Sequence, residues 1–226
     1  VQERSLFLAR DRVGKKPLFY ARWKDGFYFA SEIKAILQVP EFPREVNPRS
    51  VASYLSYTYI PYPETAFKGV YELPPAHYLE IQEDKIHTEC YWTPQVSSSR
   101  NMTLESAREK LDTILKEATR IRMISDVPLG VFLSGGLDSS AVVAVMSELS
   151  HQPIRTFSIG FEEQSHNELP YARQVAKHFN TQHEELIVRP DAMKILPQLI
   201  WHYEQPFADV SALPSFYVSK MARQHV

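Results

Sequence analysis

Ten residues near the middle of the chain have the types and spacing of an anion-binding loop. The apolar run Val131-Phe132-Leu133 is followed by Ser134-Gly135-Gly136-Leu137-Asp138-Ser139-Ser140, and a helical stretch then runs from Ala141 to Met146. A glycine-rich turn that opens a helix presents free backbone N–H groups at the positive end of the helix dipole, which suits phosphate. The serine hydroxyls add donors, and the Asp138 carboxylate suits a hard cation that bridges phosphates. The run therefore predicts a phosphate site with room for a cation.

The spacing of the glycines narrows the kind of phosphate site. A Walker loop has four residues between its glycines and then Lys-Ser/Thr, and a dinucleotide fingerprint has three spaced glycines. Gly135 and Gly136 are adjacent, and neither pattern is present. The run resembles instead the pyrophosphate-binding loop of the N-type ATP pyrophosphatases, which cleave ATP between its α- and β-phosphates and pass AMP to a substrate. Without a ligand role, the same residues would form a tight strand–helix turn with an Asp-Ser cap.

The composition of the whole chain is that of an ordinary soluble globular protein. Its 226 residues are 44% hydrophobic and 23% charged, with a formal net charge of −2, so no global field favours nucleic acid or an anionic membrane. No apolar run approaches the roughly 18 residues that span a bilayer. The single cysteine, Cys90, cannot form an internal disulfide, which fits a reducing cytoplasm. We therefore expect a cytoplasmic protein with no membrane or nucleic-acid partner.

The first ninety or so residues predict a β-rich unit. Five short strands are expected, at residues 6–9, 17–22, 26–30, 77–81 and 85–91. The expected turns are Val13-Gly14, Asp25-Gly26 and Glu83-Asp84. Two short helices complete this part, one over 32–37 with Ser31 as its cap and one from Asn47 to about residue 56.

The pattern changes after the polar run at residues 97–101, which has the composition of a linker. Apolar residues recur at helical spacing from Thr103, the expected N-cap, to about Met123. Strands are then predicted over 130–133, 154–159 and 183–188, alternating with helices over 138–149, 168–179, 192–201 and 213–223. This order predicts an α/β fold with a parallel sheet wound with helices. Ligands in such sheets lie at the carboxyl ends of the strands, where Leu133 and Ile159 are expected.

Separate stretches of the chain resemble one enzyme family. Residues 10–20, Arg-Asp-Arg-Val-Gly-Lys-Lys-Pro-Leu-Phe-Tyr, and residues 29–34, Phe-Ala-Ser-Glu-Ile-Lys, are similar to the later part of a class II glutamine amidotransferase domain. Residues 123–130, which lead into the Ser-Gly-Gly loop, are similar to the start of an asparagine synthetase domain, and residues 157–161 and 204–209 continue that match. On these stretches the chain resembles the glutamine-hydrolysing asparagine synthetases, most of all the bacterial branch.

The resemblance implies a division into two domains. Residues 1–93 would be the β-rich end of an α+β amidotransferase domain of the Ntn type, and 94–102 a linker. Residues 103–226 would be the first part of a synthetase domain of the ATP pyrophosphatase type. The family's catalytic N-terminal cysteine would precede Val1, and a second phosphate loop would follow Val226. We therefore expect no catalytic residue of the glutaminase site in this chain and little activity from the chain alone.

The chemistry implied by the resemblance joins two sites. Glutamine hydrolysis supplies ammonia, ATP activates the side-chain carboxylate of aspartate as an acyl-adenylate, and ammonia displaces AMP to give asparagine. The expected cofactors are ATP and Mg²⁺, the expected small-molecule partners are aspartate and glutamine, and a homodimer is left open. The dense negative charge of the departing pyrophosphate is the physical reason for an anion site and a cation.

The resemblance also assigns roles to individual residues. The pyrophosphate loop would comprise Ser134, Gly135, Gly136, Ser139 and Ser140. Asp138 would be a Mg²⁺ ligand, with a helix cap as its alternative role. The backbone groups of Leu133 and Ile159 would contact adenine and ribose. Asp209 and Ser211 fall in the stretch that lines the aspartate pocket of relatives.

The other reactive side chains are interpreted as structural. The first turn contains four basic residues, Arg10, Arg12, Lys15 and Lys16. This group is too short for a nucleic-acid site, and we expect a solvated turn. The histidines at 166, 178 and 183 lack the spacing of zinc ligands. Cys90 is expected to pack within its strand.

Three other functions remain open at this stage. A relative with the same two-domain plan could amidate a different carboxylate in a polysaccharide or antibiotic pathway, and the acid that triggers ATP–pyrophosphate exchange would distinguish it. The GMP and NAD synthetases share the loop, but the amidotransferase stretch argues against them. A non-catalytic nucleotide-binding relative would be favoured by failure to bind ATP–Mg²⁺.

Overall fold

The chain folds as two compact units. The computed structural model describes residues 5–82, 85–96, 102–162, 167–189 and 192–226. Val1–Ser97 and Leu196–Asp209 make up the first unit, and Ser98–Ile195 and Val210–Val226 make up the second. The predicted turn at Glu83-Asp84 and the polar run at 97–101 lie outside the described residues. In the part of the chain that is described, no helix is long and apolar enough to cross a membrane.

The first unit contains two antiparallel sheets and two short helices. Its elements are β1 (Ser5–Ala9), β2 (Phe19–Trp23), β3 (Gly26–Ala30), α1 (Ile33–Ile36), α2 (Pro48–Tyr57), β4 (Val70–Glu72), β5 (His77–Gln82) and β6 (Lys85–Cys90). One sheet has the strand order β1-β5-β6 and the other β3-β2-β4. The predicted β-rich character is confirmed, and the structure adds β4, which the sequence patterns did not predict.

The core of the first unit lies between β2 and α1. Phe19 and Ala21 are two residues apart in β2 and therefore point to the same face of the strand. Ile33 and Ile36 lie three residues apart on one face of α1. These four side chains are buried together with Phe42 and Val70. The side chains on this face of the strand thus pack against those on one face of the helix, in a single apolar cluster.

Four local predictions in the first unit are wrong, three of them at the β2–β3 turn, the α1 cap and Cys90, and the fourth at Arg10. The hairpin between β2 and β3 turns at Lys24-Asp25, because Trp23 pairs with Gly26 and Lys24 has a φ of 52°. Glu32, not Ser31, holds the N-cap position of α1, and its side chain does not cap the helix. Cys90 does not pack in a core, since it is exposed at the end of the edge strand β6.

The basic turn is only partly solvated. Arg10 is 7% exposed, with its Nη2 atom 2.8 Å from Glu72 Oε1 and its Nη1 atom donating to the Leu73 carbonyl at 2.6 Å. The neighbouring Asp11 carboxylate accepts hydrogen bonds from the backbone N–H groups of Lys16 and Lys15, each at 2.9 Å. These bonds, that from Lys16 first, lower the pKa of Asp11 below its ordinary value. The turn is therefore built around a buried arginine, contrary to the prediction for Arg10.

The second unit contains the predicted parallel sheet. Its elements are α3 (Leu104–Arg122), β7 (Gly130–Phe132), α4 (Leu137–Leu149), β8 (Arg155–Phe161), α5 (Leu169–His178), β9 (Gln182–Val188) and α7 (Ala212–Ala222), while α6 (Ala192–Tyr203) extends into the first unit. The strand order is β7-β8-β9, and both pairings are parallel. Thr103 caps α3 as predicted, because its side chain accepts a hydrogen bond from Ser106 N at 3.2 Å. The predicted α/β alternation is confirmed.

Helices cover both faces of this sheet. Leu133 packs on one face with Val143 of α4 and Ala172 and Ala176 of α5. Phe157 packs on the other face with residues of α7. Because β7 and β8 are held between these two layers of helices, the start of the turn after Leu133 is fixed in position at the carboxyl edge of the sheet.

Candidate functional site

The predicted anion loop joins β7 to α4. Leu133 N donates to Phe157 O at 2.9 Å, which extends the pairing of β7 with β8 by one residue beyond Phe132. The chain then turns through Ser134 and Gly135, and Gly136 holds the N-cap position of α4. The strand, glycine turn and helix that the sequence predicted are therefore present in that order.

Gly135 is required by its backbone angle and by its close neighbours. Its φ is +82°, in the region that L side chains rarely adopt. A Cβ atom at this position would lie 2.5 Å from Ala172 N and 2.6 Å from Tyr171 Cβ. The loop therefore lies against the first turn of α5 at a distance that only glycine permits.

The first turn of α4 leaves backbone donors free at the loop. Gly136 has no side chain, and no side-chain hydrogen bond caps this helix. The first helical hydrogen bond runs from Ser140 N to Gly136 O at 3.1 Å. The N–H groups of Leu137, Asp138 and Ser139 precede it, so they lie at the positive end of the helix dipole without helical acceptors. An oxyanion is the ligand that such a group of donors suits best.

The loop serines brace one another. Ser134 Oγ and Ser139 Oγ are 2.9 Å apart, and Ser134 Oγ also accepts a hydrogen bond from Gly136 N at 3.2 Å. Ser140 Oγ donates to Gly136 O at 2.7 Å. The structure thus brings the three predicted serines together around Gly136. Their mutual bonds fix the shape of the loop.

Asp138 lies in the first turn of α4 and is exposed. The capping position belongs to Gly136, two residues earlier, so Asp138 is not the helix cap. Within the described ranges, no hydrogen bond or ion pair is found for the Asp138 carboxylate. Nor do those ranges contain a cluster of three or more His, Cys, Asp or Glu side chains that could hold a metal ion. A single free carboxylate beside a predicted phosphate site suits Mg²⁺, which takes one or two carboxylates together with phosphate oxygens and water.

Leu133 and Ile159 lie near the carboxyl ends of neighbouring strands. Leu133 is 1% exposed, its N–H group is used in the sheet, and its carbonyl accepts a hydrogen bond from the Ser158 hydroxyl. Ile159 lies beyond the last β7–β8 pair and is opposite Leu186 of β9. The nucleotide contacts assigned to these residues remain a prediction, and at Leu133 only the carbonyl oxygen has a lone pair to offer.

Asp209 and Ser211 are both exposed. Asp209 ends the second segment of the first unit, and Ser211 belongs to the second unit, where it holds the N-cap position of α7 without a capping side-chain bond. Their role in an aspartate pocket remains a prediction.

The histidines make structural contacts where they are described. His183 Nδ1 is 2.8 Å from Thr156 Oγ1. The ring of His178 packs edge-on against Phe179, with the ring centroids 4.7 Å apart. His166 lies outside the described residues.

Glu204 has a role that the sequence did not reveal. Its carboxylate accepts hydrogen bonds from Ile33 N at 2.8 Å and Lys34 N at 2.9 Å, and so caps α1 from a distant part of the chain. Lys34 Nζ is also 3.2 Å from Glu204 Oε1. Burial lowers the pKa of Lys34, but hydrogen bonds to Glu32 and Glu204 outweigh it, and the pKa lies above its ordinary value.

The residues that follow Glu204 continue this attachment within the first unit. Gln205 Oε1 accepts a hydrogen bond from Ala66 N at 3.2 Å, and Ala208 N donates to Thr58 O at 3.1 Å. The stretch that the resemblance placed in a synthetase domain therefore packs with the β-rich unit. No local signal could have indicated this, because the bonds join residues well over 100 positions apart in the chain.

Comparison with known proteins gives two family matches and several curated relatives. A model described as asparagine synthase matches residues 110–226, and one described as a glutamine amidotransferase domain matches residues 1–92. The chain is 34% identical over 223 residues to asparagine synthetase [glutamine-hydrolyzing] 1 of Bacillus subtilis, covering 98% of this chain and 35% of that protein. It is 37% identical over 226 residues to a putative asparagine synthetase [glutamine-hydrolyzing] 2 of Methanocaldococcus jannaschii, covering 98% of this chain and 44% of the relative.

A vertebrate relative extends the match. The chain is 30% identical over 194 residues to asparagine synthetase [glutamine-hydrolyzing] of Gallus gallus, covering 81% of this chain and 33% of that protein. The chain thus spans less than half of the length of each of these relatives. Because the asparagine synthase model alone matches more than half of its residues, the chain belongs to the asparagine synthase family.

Proposed function

We propose that this chain binds ATP at the loop after β7 and takes part in the glutamine-dependent amidation of aspartate to asparagine. One observation carries this assignment: an exposed strand-to-helix loop with uncapped donors lies in a chain of the asparagine synthase family. The names of these relatives, glutamine-hydrolysing asparagine synthetases, support the choice of reaction.

The loop would hold the pyrophosphate portion of ATP. The N–H groups of Leu137, Asp138 and Ser139 would donate to phosphate oxygens, and the hydroxyls of Ser134 and Ser139 would exchange their mutual bond for bonds to the ligand. Gly135 lets the loop turn with a φ of +82° and lie close against the first turn of α5, which would set the position of these donors. Donors fixed before the ligand arrives stabilise charge on a leaving group without a cost of reorganisation.

Asp138 would hold Mg²⁺ beside the phosphates. Its carboxylate is exposed and has no recorded partner in the described part of the chain, so one ligand position is available without breaking an ion pair. The bound ion would supply positive charge to the phosphate oxygens. The residues of this chain would position the phosphates at the first turn of α4, to which Asp138 belongs.

The reaction would proceed by two substitutions. The side-chain carboxylate of aspartate would attack the α-phosphorus of ATP and release pyrophosphate, which gives a β-aspartyl-adenylate. Ammonia from glutamine would then attack the acyl carbon and release AMP. The backbone of Leu133 and Ile159 would contact the nucleotide, and Asp209 and Ser211 would contact aspartate.

Along the sequence, the chain would divide into two modules, although residues 196–209 of the second module pack with the first compact unit. Residues 1–93 would form the end of an amidotransferase domain of the Ntn type, and residues 103–226 the first part of a synthetase domain of the ATP pyrophosphatase type, with 94–102 between them. The family matches at 1–92 and 110–226 support this division.

ATP binding by the 226-residue chain is the direct test, because turnover is not expected of a chain that spans 35% of its Bacillus relative. Isothermal titration calorimetry would compare Asp138→Asn with Asp25→Asn, an exposed aspartate in the β2–β3 turn. We expect Asp138→Asn to weaken ATP binding at least tenfold with Mg²⁺ and much less with EDTA, and Asp25→Asn to change neither. If the chain does not bind ATP–Mg²⁺, the proposed function fails.

The acceptor acid is tested by a stable mimic of the adenylate. An acyl-sulfamoyl adenosine with a β-aspartyl group should bind more tightly than ATP, and more tightly than the analogue with a γ-glutamyl group. Tighter binding of the glutamyl compound would reject aspartate as the acceptor while leaving the ATP site in place.

A further inference from the structure

A buried serine of β8 is bonded to the residue that precedes the anion loop. Ser158 is 3% exposed, and its hydroxyl donates to the Leu133 carbonyl. Thr156 lies two residues earlier on the same face of β8 and is also buried, but its hydroxyl is 2.8 Å from Thr181 Oγ1, just before β9. Of these two hydroxyls, it is therefore that of Ser158 that connects β8 to the end of β7.

This bond holds the peptide group between Leu133 and Ser134. A peptide group is planar and trans, so its C=O and N–H bonds point in opposite directions. Because the Leu133 carbonyl accepts from β8, the Ser134 N–H group is directed away from β8, and it donates to Ser139 Oγ at 3.3 Å. The orientation of the first N–H group of the loop is thus set by a residue outside the loop.

The hydrogen bonds continue from this peptide into the loop. Ser139 Oγ donates to Gly136 O at 3.2 Å and lies 2.9 Å from Ser134 Oγ. A series of bonds therefore runs from Ser158 through the 133–134 peptide to Ser139. Both the hydroxyl and the N–H group of Ser139 are among the donors proposed for phosphate.

The strand that carries Ser158 is held on both faces. Phe157 is 1% exposed and packs with residues of α7. On the other face, Gly160 lies so close to α5 that a Cβ atom would be 2.3 Å from Leu169 Cδ1. The Ser158 hydroxyl thus donates from a strand whose position is set by packing on either side.

We propose that Ser158 is a positioning residue for the pyrophosphate loop. The role rests on the proposed function and adds to it a residue of a neighbouring strand that does not touch the ligand. By fixing the 133–134 peptide before the ligand arrives, Ser158 removes part of the ordering cost of binding. A carbonyl oxygen has two lone pairs, so the bond from Ser158 leaves one at Leu133 for the nucleotide.

NMR spectra of the ligand-free, ¹³C,¹⁵N-labelled 226-residue chain test the bond itself. The Leu133 carbonyl carbon and Ser134 amide signals should shift in Ser158→Ala and keep their positions in Ser147→Ala. This control removes a serine hydroxyl from α4 of the same unit, and that hydroxyl has no hydrogen-bond partner in the described part of the chain. Unchanged Leu133 and Ser134 signals in Ser158→Ala would overturn the proposal.

Isothermal titration calorimetry then tests the consequence for binding, with ATP in one arm and inorganic pyrophosphate in the other, both with Mg²⁺. Ser158→Ala should weaken the affinity for both ligands about three- to tenfold and Ser147→Ala by less than about twofold, because only the first removes a hydrogen bond. Ser158→Cys keeps a weak donor of similar size and should lie between Ser158→Ala and the wild type.

The outcomes separate positioning from a structural role. A lower urea midpoint of Ser158→Ala with both affinities unchanged would show that Ser158 only stabilises the fold. A loss confined to ATP would also overturn the proposal, because the Leu133 carbonyl would then act on the nucleoside and not through the loop. Should Ser158→Ala unfold, Ser158→Cys replaces it, and wild-type affinity of that chain rejects the role.

Failure of the proposed function gives a different result. If the wild-type chain binds neither ATP nor pyrophosphate, the proposed function and the role of Ser158 fail together. If the wild-type chain binds both and Ser158→Ala binds them equally well, the role of Ser158 alone fails.

Discussion

Replacing the two adjacent loop glycines one at a time distinguishes the steric requirement for glycine at position 135 from the effect of position 136 on helix capping. At Gly135, φ is +82° and a Cβ atom would lie 2.5 Å from Ala172 N. At Gly136, φ is −71° and a Cβ atom would meet only Ser134 Oγ, at 3.3 Å. The variants Gly135→Ala and Gly136→Ala add the same methyl group one residue apart, so each is the matched control of the other.

The expected costs differ in size. Alanine in the left-handed region costs about 1 to 2 kcal/mol, and forcing a methyl group against the backbone of α5 adds about 1 to 3 kcal/mol. Gly135→Ala should therefore lower the free energy of unfolding of the second unit by about 2 to 5 kcal/mol. Gly136→Ala replaces an acceptable N-cap residue with a poor one, which costs about 0.5 to 1 kcal/mol. The two variants should thus differ by at least about 1 kcal/mol.

Hydrogen exchange and urea unfolding measure this difference. All three tryptophans, Trp23, Trp92 and Trp201, belong to the first unit. Tryptophan fluorescence therefore reports on the first unit and amide exchange in α5 on the second, while far-UV circular dichroism reports on both units together. We expect faster exchange in α5 for Gly135→Ala and near wild-type exchange for Gly136→Ala. If both variants lose the same free energy within about 0.5 kcal/mol, the steric account of Gly135 is refuted.

Three further substitutions probe other contacts. Glu204→Ala leaves two N–H groups of α1 without an acceptor and should destabilise the first unit by about 1 to 3 kcal/mol in fluorescence-monitored urea unfolding; an equal effect of Glu117→Ala, at an exposed position of α3, would contradict the capping role. Gly160→Ala places a Cβ atom 2.3 Å from Leu169 Cδ1 and should cost about 1 to 3 kcal/mol by circular dichroism; wild-type stability would refute the clash. A hydrogen bond from Arg173 lowers the pKa of Glu185 below its ordinary 4.5, so its contribution to stability is complete above pH 4.5 and is lost as the pH falls through the folded-state pKa. Glu185→Gln should remove this part of the acid dependence of the urea midpoint, and an unchanged dependence between pH 3 and 6 would exclude it.

The elements that the sequence predicted well are those with a local cause. The apolar run before Ser134 and the glycines after it determine a strand, a turn and a helix within a dozen residues. The Thr103 cap depends on an acceptor three residues before the N–H group that it binds. The parallel order of β7, β8 and β9 follows from alternating strands and helices, because each crossover returns the chain in the same direction. Neighbouring residues decide each of these features.

The elements that were missed depend on position in the sheet or on length. β4 has only three residues, too few for a periodic pattern. Cys90 lies in β6, an edge strand whose six residues are all exposed. Its sequence resembles that of a covered strand, since strand propensity does not reveal whether anything packs on it. The charge of Arg10 led to the prediction that its side chain is exposed to solvent. Its burial depends on an ion pair with Glu72, which is 62 positions away in the sequence and so could not be recognised locally.

Glu204 shows why a motif can be located correctly while its place in the fold is missed. An acidic residue followed by Gln-Pro-Phe-Ala-Asp matched a stretch associated with substrate binding, and that match contains no information about which unit the stretch joins. The two N–H groups at the start of α1 are potential donors that need an acceptor, since Glu32 does not cap this helix. The Glu204 carboxylate satisfies both groups and pairs with Lys34. As a result Asp209 is held in the first unit, while Ser211, two residues later, belongs to the second. A substrate role for either residue therefore has to be tested separately, because the two are anchored by different sets of contacts.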